Sequence, residues 1–242
     1  MLPIKNTDLQ YKTVELPESK KVISARRYLT KEIRMYLQNI QSVKTPSDQM
    51  DEVFKLMKNC VDPKDIETIE KASKADFTYF MMWLRSVSVD AKIPYPHSCP
   101  HCQFYYPDYI YDYSLEGSYK LIVSEVKEVV LSDETIIYLK KLSIRDEQEI
   151  LKKLDPKSTP SKVIFEKVKK SIDKIVEMNN IFDNWSDEEL TNYIDSFPLD
   201  DYKKLVTGYL GNISEISLEK KQKCLSCEQT YTIKLEESDF FV

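Results

Sequence analysis

The sequence predicts an α+β protein with helices, antiparallel strands and a zinc-ribbon-like lobe formed by two distant C-x-x-C knuckles. Several segments place apolar residues at helical spacing, and others alternate apolar and polar residues between turn-forming residues. Four of the five cysteines form two C-x-x-C pairs. The hydrophobic fraction of 42% is large enough for a core, and the chain has only 3 glycines. Flexible linkers and Gly-rich phosphate loops are therefore almost excluded.

The N-terminal region predicts a β-hairpin followed by helices. Residues 11–29 alternate in polarity around the turn Pro17-Glu18-Ser19. Apolar spacing then predicts helices at 30–43, at 50–60, in a short helix or turn around 66–69, and at 77–87. The last of these helices is strongly apolar, and we expect its Phe80 and Trp83 to be core residues.

The remainder of the chain mixes strands and helices. Strands are predicted at 120–131 and 135–143, and two more within 216–242, around the second cysteine pair. Helices are predicted at 145–154, 163–178, 186–197 and 199–210. We divide the chain into an N-terminal hairpin and helical region, a first knuckle with strands, a second helical region, and a second knuckle that closes onto the first. These four parts cover residues 1–92, 93–144, 145–215 and 216–242.

Two cysteine pairs, Cys99-Pro100-His101-Cys102 and Cys224-Leu225-Ser226-Cys227, predict a metal site. Two residues between thiols let both sulfurs point to one side of a tight turn, and two such turns complete a tetrahedron around Zn²⁺. Residues 103–223 separate the pairs, whereas an ordinary zinc ribbon uses ~15–20 residues. We expect one structural Zn²⁺ per chain, with the ligands Cys99, Cys102, Cys224 and Cys227, because four thiolates leave no open catalytic position.

The sequence fits a zinc site better than other roles for these cysteines and histidines. Cys-Pro-His-Cys is also a thiol-oxidase motif, but that motif belongs at the start of a helix after a buried strand. Here it lies between proline-rich and tyrosine-rich extended segments. His97 and His101 could replace a cysteine ligand, although a strand position and a knuckle-tip position explain them more simply. Cys60 lies on the apolar face of a predicted helix, so we expect a buried thiol.

Composition disfavours several other functions. Lys+Arg 35 and Asp+Glu 40 give a net charge of -5 without a basic stripe, which disfavours nucleic-acid binding. No segment approaches the ~18 apolar residues of a membrane span, and the N-terminus lacks a signal pattern, so we expect a reducing cytosol. Both histidines lie beside the first cysteine pair, which excludes a Ser-His-Asp triad elsewhere. Asp187-Glu188-Glu189 and Asp200-Asp201 are typical of helix starts and solvated faces. We therefore expect no enzyme and no small-molecule substrate.

A cluster of tyrosines follows the first cysteine pair. It consists of Tyr105, Tyr106, Tyr109, Tyr111 and Tyr113. Aromatic rings could stack on bases, but no Lys or Arg neighbours these tyrosines. The cluster therefore predicts a packed or protein-binding surface.

Three segments, in this order, carry a resemblance to a known family. The first is Ala25-Arg26-Arg27-Tyr28-Leu29-Thr30-Lys31-Glu32, and the second is the apolar stretch 75–89 that precedes Cys-Pro-His-Cys. The third is the C-terminus, where the second C-x-x-C is followed by Glu237-Ser238-Asp239-Phe240-Phe241. Together they resemble the T4-type bacteriophage baseplate hub subunit and hub-assembly family. Some members lack one or both cysteine pairs, so the resemblance does not itself imply zinc.

The resemblance implies a role in building the central hub of a contractile tail's baseplate. Its expected partners are other phage tail and baseplate hub proteins, with no nucleic acid, membrane or small molecule. The expected location is the host cytoplasm during assembly, and persistence in the virion tail baseplate stays open. Two alternatives stay open as well. One is a zinc-ribbon nucleic-acid-binding or transcription accessory protein with a basic face around Lys220, Lys221 and Lys223, and the other is a C-x-x-C thiol oxidoreductase.

Overall fold

The computed structural model of the chain describes residues 10–43, 45–114, 119–123, 126–178 and 180–235. The predicted tail Asp239-Phe240-Phe241 lies outside these residues. Within the described ranges the α-helices are α1 (Thr30–Ile40), α2 (Pro46–Cys60), α3 (Ile66–Glu70), α4 (Lys74–Ser88), α5 (Ile144–Lys153), α6 (Pro160–Ser171), α7 (Asp187–Asp195) and α8 (Leu199–Gly211). None of these described helices is both long and apolar enough to cross a membrane.

The described strands form one four-stranded sheet and five two-stranded pairs, all antiparallel. They are β1 (Lys12–Glu15), β2 (Val22–Ala25), β3 (Lys92–Pro94), β4 (His97–Ser98), β5 (Tyr105–Tyr106), β6 (Ile110–Asp112), β7 (Lys120–Ile122), β8 (Glu128–Val130), β9 (Ile136–Leu139), β10 (Ile172–Glu177), β11 (Asn180–Phe182), β12 (Glu215–Ser217), β13 (Glu219–Lys223) and β14 (Thr230–Lys234). The α+β prediction is confirmed.

A first core joins the N-terminal hairpin β1–β2 to α2, α3 and α4. The predicted hairpin and helices are confirmed, and Ser73 caps α4 by accepting the N–H of Asp76. Phe80 is fully buried and Trp83 packs against the same cluster, as predicted. Burial of these side chains supplies most of the stabilisation of α4, at about 1.5–3 kcal/mol for each fully buried large apolar group.

A second core lies between the four-stranded sheet, in the order β11–β10–β9–β8, and the helices α5 to α8. Val129, Ile137 and Ile175 occupy the buried face of this sheet. Helix α8 approaches β8 closely at Gly208, where an added Cβ would come within 2.3 Å of the Val129 side chain. Glu18 connects this core to the first one, because its carboxylate accepts hydrogen bonds from Ser73, Lys141 and Ser214.

The helix predicted at 163–178 is wrong in its second half. Helix α6 ends at Ser171, and β10 follows directly and pairs with β9 on one side and β11 on the other. The register shifts at a bulge between Ile172 and Lys174, so Ile172 and Ile175 are both buried although they are three positions apart in the sequence. The bulge therefore gives a strand the i, i+3 spacing that is typical of a helix face.

The strand predicted at 120–131 is also wrong as one element. Its first part, β7, pairs with β12, and its last part, β8, pairs with β9 in the four-stranded sheet. The sequence could not distinguish them because each part is a short apolar run, Leu121-Ile122-Val123 and Val129-Val130-Leu131. The four-part division of the chain stays a prediction.

A third core holds the aromatic strands together. Strand pairs β3–β6, β4–β5 and β13–β14 converge on it, and α4 contributes Met82. Tyr106, Tyr111 and Tyr113 are buried there, which confirms the packed reading of those tyrosines, whereas Tyr105 is exposed. This core brings residues near 100 and residues near 230 side by side.

Candidate metal centre

The first C-x-x-C forms a tight turn between β4 and β5. The N–H of Cys99 donates to the carbonyl of Phe104 at 2.9 Å, and the N–H of Gln103 donates back to the carbonyl of Cys99 at 2.9 Å. Gln103 has a φ of 61°, in the left-handed region. The turn therefore closes by reciprocal backbone hydrogen bonds and points both thiols the same way.

The second C-x-x-C repeats this turn between β13 and β14. The N–H of Cys224 donates to the carbonyl of Gln229 at 2.9 Å, and the N–H of Glu228 donates to the carbonyl of Cys224 at 3.1 Å. Glu228 has a φ of 59°. The N–H of Ser226 also points to the Cys224 Sγ, at 3.4 Å. This is the sulfur-facing backbone N–H expected of a zinc knuckle.

The two turns face each other and bring four sulfurs together. The Sγ atoms of Cys99 and Cys227 lie 3.8 Å apart, and those of Cys102 and Cys224 lie 3.6 Å apart. All four Sγ atoms lie within 4.8 Å of one another. A regular tetrahedron with Zn–S bonds of ~2.3 Å has S–S edges of ~3.8 Å. The four cysteines could therefore hold a metal ion without rearrangement of the backbone.

Tyr106 connects the two halves of the cluster. It lies on β5, after the first knuckle, yet its hydroxyl donates to the Cys224 Sγ at 3.4 Å and accepts the N–H of Leu225 at 2.8 Å. Cys99 and Cys224 are buried, Cys227 is half-buried and Cys102 is exposed. One side of the cluster is thus dry and hydrogen-bonded, and the other faces water.

The pKa values of the Cys224 and Cys227 thiols are shifted in opposite directions. The hydrogen bond from Tyr106 lowers the pKa of the Cys224 thiol to about 6, helped by the nearby backbone N–H groups. The backbone N–H of Gln229 lowers the pKa of Cys227, but burial and the three neighbouring thiols outweigh it and raise that pKa to about 12. Four sulfurs this close cannot all carry charge without a cation among them.

His97, Tyr106 and Tyr231 form an aromatic shell beside the four cysteines. His97 lies in β4, as predicted, and its ring nitrogens contact the carbonyl of Tyr95 at 3.0 Å and the hydroxyl of Tyr231 at 2.8 Å. Its ring stacks on Tyr106, with centroids 5.1 Å apart. Both ring nitrogens already have hydrogen-bond partners, whereas the four thiols lie close enough to one another to hold a metal ion. His101 is exposed at the tip of the first turn.

Cys60 lies apart from the cluster, in the first core. It is fully buried, as predicted, and burial raises the pKa of its thiol to about 12. The first C-x-x-C occupies a turn between two strands and not a helix N-terminus, the position that activates thiol oxidases. A closed set of four thiols in two knuckles is suited to a structural ion.

The acidic clusters have structural roles in helix starts. Glu189 completes a capping box with Ser186 at the start of α7, and Asp187 pairs with the buried Lys169. Asp201 accepts hydrogen bonds from the backbone and side chain of Ser132 and pairs with Lys204. The capping box at Glu189 and the place of Asp200 and Asp201 in the first turn of α8 confirm the predicted helix-start role, but Asp201 is buried and does not lie on a solvated face.

Sequence reasoning missed the aromatic shell, namely the contacts of Tyr106, Tyr231 and His97. One signal could have revealed it, because each tyrosine lies seven residues after the first cysteine of its pair. In both knuckles that position falls on the returning strand, opposite the residue two before the cysteine.

Comparison with known protein families gives a match over nearly the whole chain. A family model described as "T4 bacteriophage base plate protein" matches residues 9–242. No curated protein and no solved structure matches the chain. The matched residues include both knuckles and all three cores.

Proposed function

The chain belongs to the T4 bacteriophage base plate protein family, and from this we propose that it is a non-enzymatic component or assembly factor of the baseplate hub of a contractile tail. A structural role in a phage baseplate follows from family membership. The proposed mechanism is protein–protein binding by a scaffold that one structural Zn²⁺ makes rigid. The proposed ligands are Cys99, Cys102, Cys224 and Cys227.

The observation that carries this proposal is the approach of four thiols from two turns that are far apart in the chain. An ion held there would connect β4–β5 to β13–β14 and close the loop between Cys99 and Cys227. A four-thiolate site offers no open position for substrate or water, so the ion would act on stability and shape. A protein that binds partners needs a surface of fixed shape, and the ion would hold the two strand pairs in place.

The proposed partners are other phage tail and baseplate hub proteins. Exposed apolar side chains surround the knuckles: Phe104, Tyr105, Ile110 and Leu225. Such residues at the tip of a rigid lobe are typical of a protein contact. The proposed location is the host cytoplasm during assembly and, for a component that is retained, the virion tail baseplate.

Metal analysis tests the zinc part of the proposal. Protein purified without added metal should contain about one Zn²⁺ per chain, because closed four-thiolate sites bind tightly. A folded protein without metal, or one with two disulfides by mass spectrometry, would refute it. Quantitative mass spectrometry of purified virions beside infected-cell lysate should find the chain with hub proteins, and its absence from every tail assembly would refute the hub role.

The nucleic-acid-binding alternative predicts a concentrated basic face. Strand β13 carries Lys221 and Lys223 on one face, but Lys223 pairs with Glu228 at 3.2 Å and Glu219 lies on the same face. Lys220 instead lies over the ring of Tyr111. Charges of both signs alternate here, so the protein-binding function is the better supported one. Salt-dependent DNA binding would favour the alternative.

A further inference from the structure

The four-stranded sheet ends at an uncovered edge. Strand β11 is last in the strand order, and within the described part of the chain it pairs with β10 alone. Its residues are Asn180, Ile181 and Phe182. Natural edge strands are protected from pairing with another chain by shortness, a lysine, a proline or a bulge, and β11 is short, at 3 residues, but has no lysine, proline or bulge.

An apolar row leads across the exposed face of the sheet to this edge. The register places Val130 opposite Ile136, Ile136 opposite Val176, and Val176 opposite Ile181. Ile181 is 65% exposed and Val130 is 51% exposed. One β-branched residue from every strand therefore lies in a continuous line that a fifth strand could extend.

A cavity opens beside the same edge on the other side of the sheet. Its volume is about 330 Å³, and it lies between β10, β11 and α7. Its apolar lining comes from Ile175, Phe182, Trp185, Leu190 and Tyr193. Because successive strand residues point to opposite faces, a strand beside β11 would place alternate side chains into this cavity and over the apolar row.

The charge around the edge specifies what would bind there. Residues 175–202 contain eight Asp and Glu residues and no Lys, Arg or His. Glu177 and Glu189 line the cavity, whereas Asp183, which directly follows β11, borders a second cavity that is also lined by Lys140, Lys153, Lys169 and Lys170. Among the described residues, neither Glu177 nor Asp183 belongs to a salt bridge. On the side of the cavity that Glu177 and Glu189 line, the edge is thus complementary to a basic segment and would repel the same acidic edge of a second copy.

We propose that the edge of β11 binds an extended segment of another tail protein, which adds a fifth strand to the sheet. This segment alternates apolar residues, for the cavity and the row, with Lys or Arg for the acidic rim. Backbone hydrogen bonds to β11 supply affinity, and the cavity and charges supply specificity. The identity of the partner as a tail protein rests on the proposed function, whereas the binding mode does not depend on the zinc site.

The test uses overlapping twelve-residue peptides from the other tail proteins of the phage that encodes this chain. They are titrated against the full-length, metal-loaded protein by calorimetry. At least one peptide with alternating apolar and basic residues should bind, and it should protect from hydrogen exchange the β11 amides that point away from β10, since successive N–H groups of a strand alternate between its two edges. Ile181→Asp should weaken binding tenfold or more. Val22→Asp is the matched control, because Val22 is also an exposed strand residue, and it should leave binding unchanged.

A second variant keeps the test decisive if Ile181→Asp fails to fold. Glu177→Lys with Asp183→Lys should weaken the basic peptide and strengthen its lysine-to-glutamate version. The proposal is overturned if no peptide binding depends on the edge, if the bound peptide is helical, or if the edge variants change only self-association. If the folded protein contains no zinc but the peptide still binds at the edge of β11, the zinc part of the proposed function is refuted and the edge proposal stands.

Discussion

The two knuckles have the same backbone and different surroundings. In each, the first cysteine donates its N–H to the carbonyl five residues ahead, and the residue four ahead adopts a left-handed φ and donates back. The sulfurs differ, because Cys224 receives the Tyr106 hydroxyl whereas Cys102 is exposed. The C-x-x-C sequence thus encodes the turn and its own sulfur-facing N–H groups locally, while the hydroxyl on the Cys224 sulfur comes from the opposite knuckle.

The aromatic and polar residues around the cysteines also make contacts from one knuckle to the other. His97 and Gln222 occupy equivalent positions, two residues before their knuckles, and each lies opposite a tyrosine in its own strand pair. Yet His97 contacts the hydroxyl of Tyr231, from the other knuckle, and Gln222 accepts from Tyr109 at 3.5 Å. Each knuckle therefore completes the other, and neither should be stable alone.

The largest expected effect comes from removing either knuckle. Cys99→Ser with Cys102→Ser, or Cys224→Ser with Cys227→Ser, leaves two thiols, which cannot close a zinc shell. Each double variant should lose the metal and the constraint on the long loop, which is worth about 4–5 kcal/mol by analogy with a disulfide. Zinc content, near-UV circular dichroism and thermal unfolding measure the outcome.

Cys60→Ser is the matched control for these variants. It should keep the full metal content, because Cys60 is packed in the first core, and should cost about 1–3 kcal/mol for the buried hydroxyl. Full metal binding by either double variant, or loss of metal from Cys60→Ser, would show that the ligands are wrongly assigned. Unequal losses in the two double variants would show that one knuckle folds by itself.

An intermediate effect should separate the two tyrosines. Tyr106→Phe removes the only described hydroxyl that donates to a cluster sulfur, so zinc affinity should fall about 10–100-fold, as for other groups that orient metal ligands. Tyr231→Phe removes a contact to His97 and should change zinc affinity much less. Competition with a chromophoric chelator measures both. Equal losses would mean that the aromatic packing matters and the hydroxyl does not.

Local signals were sufficient for much of the fold. The turn at Pro17-Glu18-Ser19 and the apolar spacing at 30–43, 77–87 and 199–210 each predicted an element that the structure contains. The failures arose where pairing between distant strands decides the structure. The bulge in β10 imitates a helix face, and β7 and β8 belong to different sheets although they look like one strand.

The candidate site was predictable to the same extent. The clustering of Cys99, Cys102, Cys224 and Cys227 followed from the two C-x-x-C pairs, because that spacing places both sulfurs of a turn on one side, and their role as metal ligands stays a prediction. Nothing local indicated that Tyr106 would reach Cys224 or that His97 would reach Tyr231, since those contacts depend on how the two turns face each other. The acidic residues beside β11 were not predicted to border a sheet edge, because no element is predicted between residues 178 and 186.

The smallest effect tests whether the two turns are equivalent in strain. Gln103 and Glu228 both adopt a left-handed φ near 60°, which costs an L-residue about 1–2 kcal/mol and costs glycine almost nothing. Gln103→Gly and Glu228→Gly should therefore raise the free energy of unfolding by up to about 1 kcal/mol, less the entropy that glycine adds to the unfolded chain. Valine at either position should lower it by a similar amount, because a β-branched side chain tolerates this conformation worst. Glu228→Gly also removes the exposed pair with Lys223, which is worth little.

Denaturant unfolding of the zinc-loaded protein measures all four variants, and the difference between glycine and valine should match at the two positions. A turn that accepts valine without cost would have a different backbone in solution, and the equivalence of the knuckles would then hold only for their sequences.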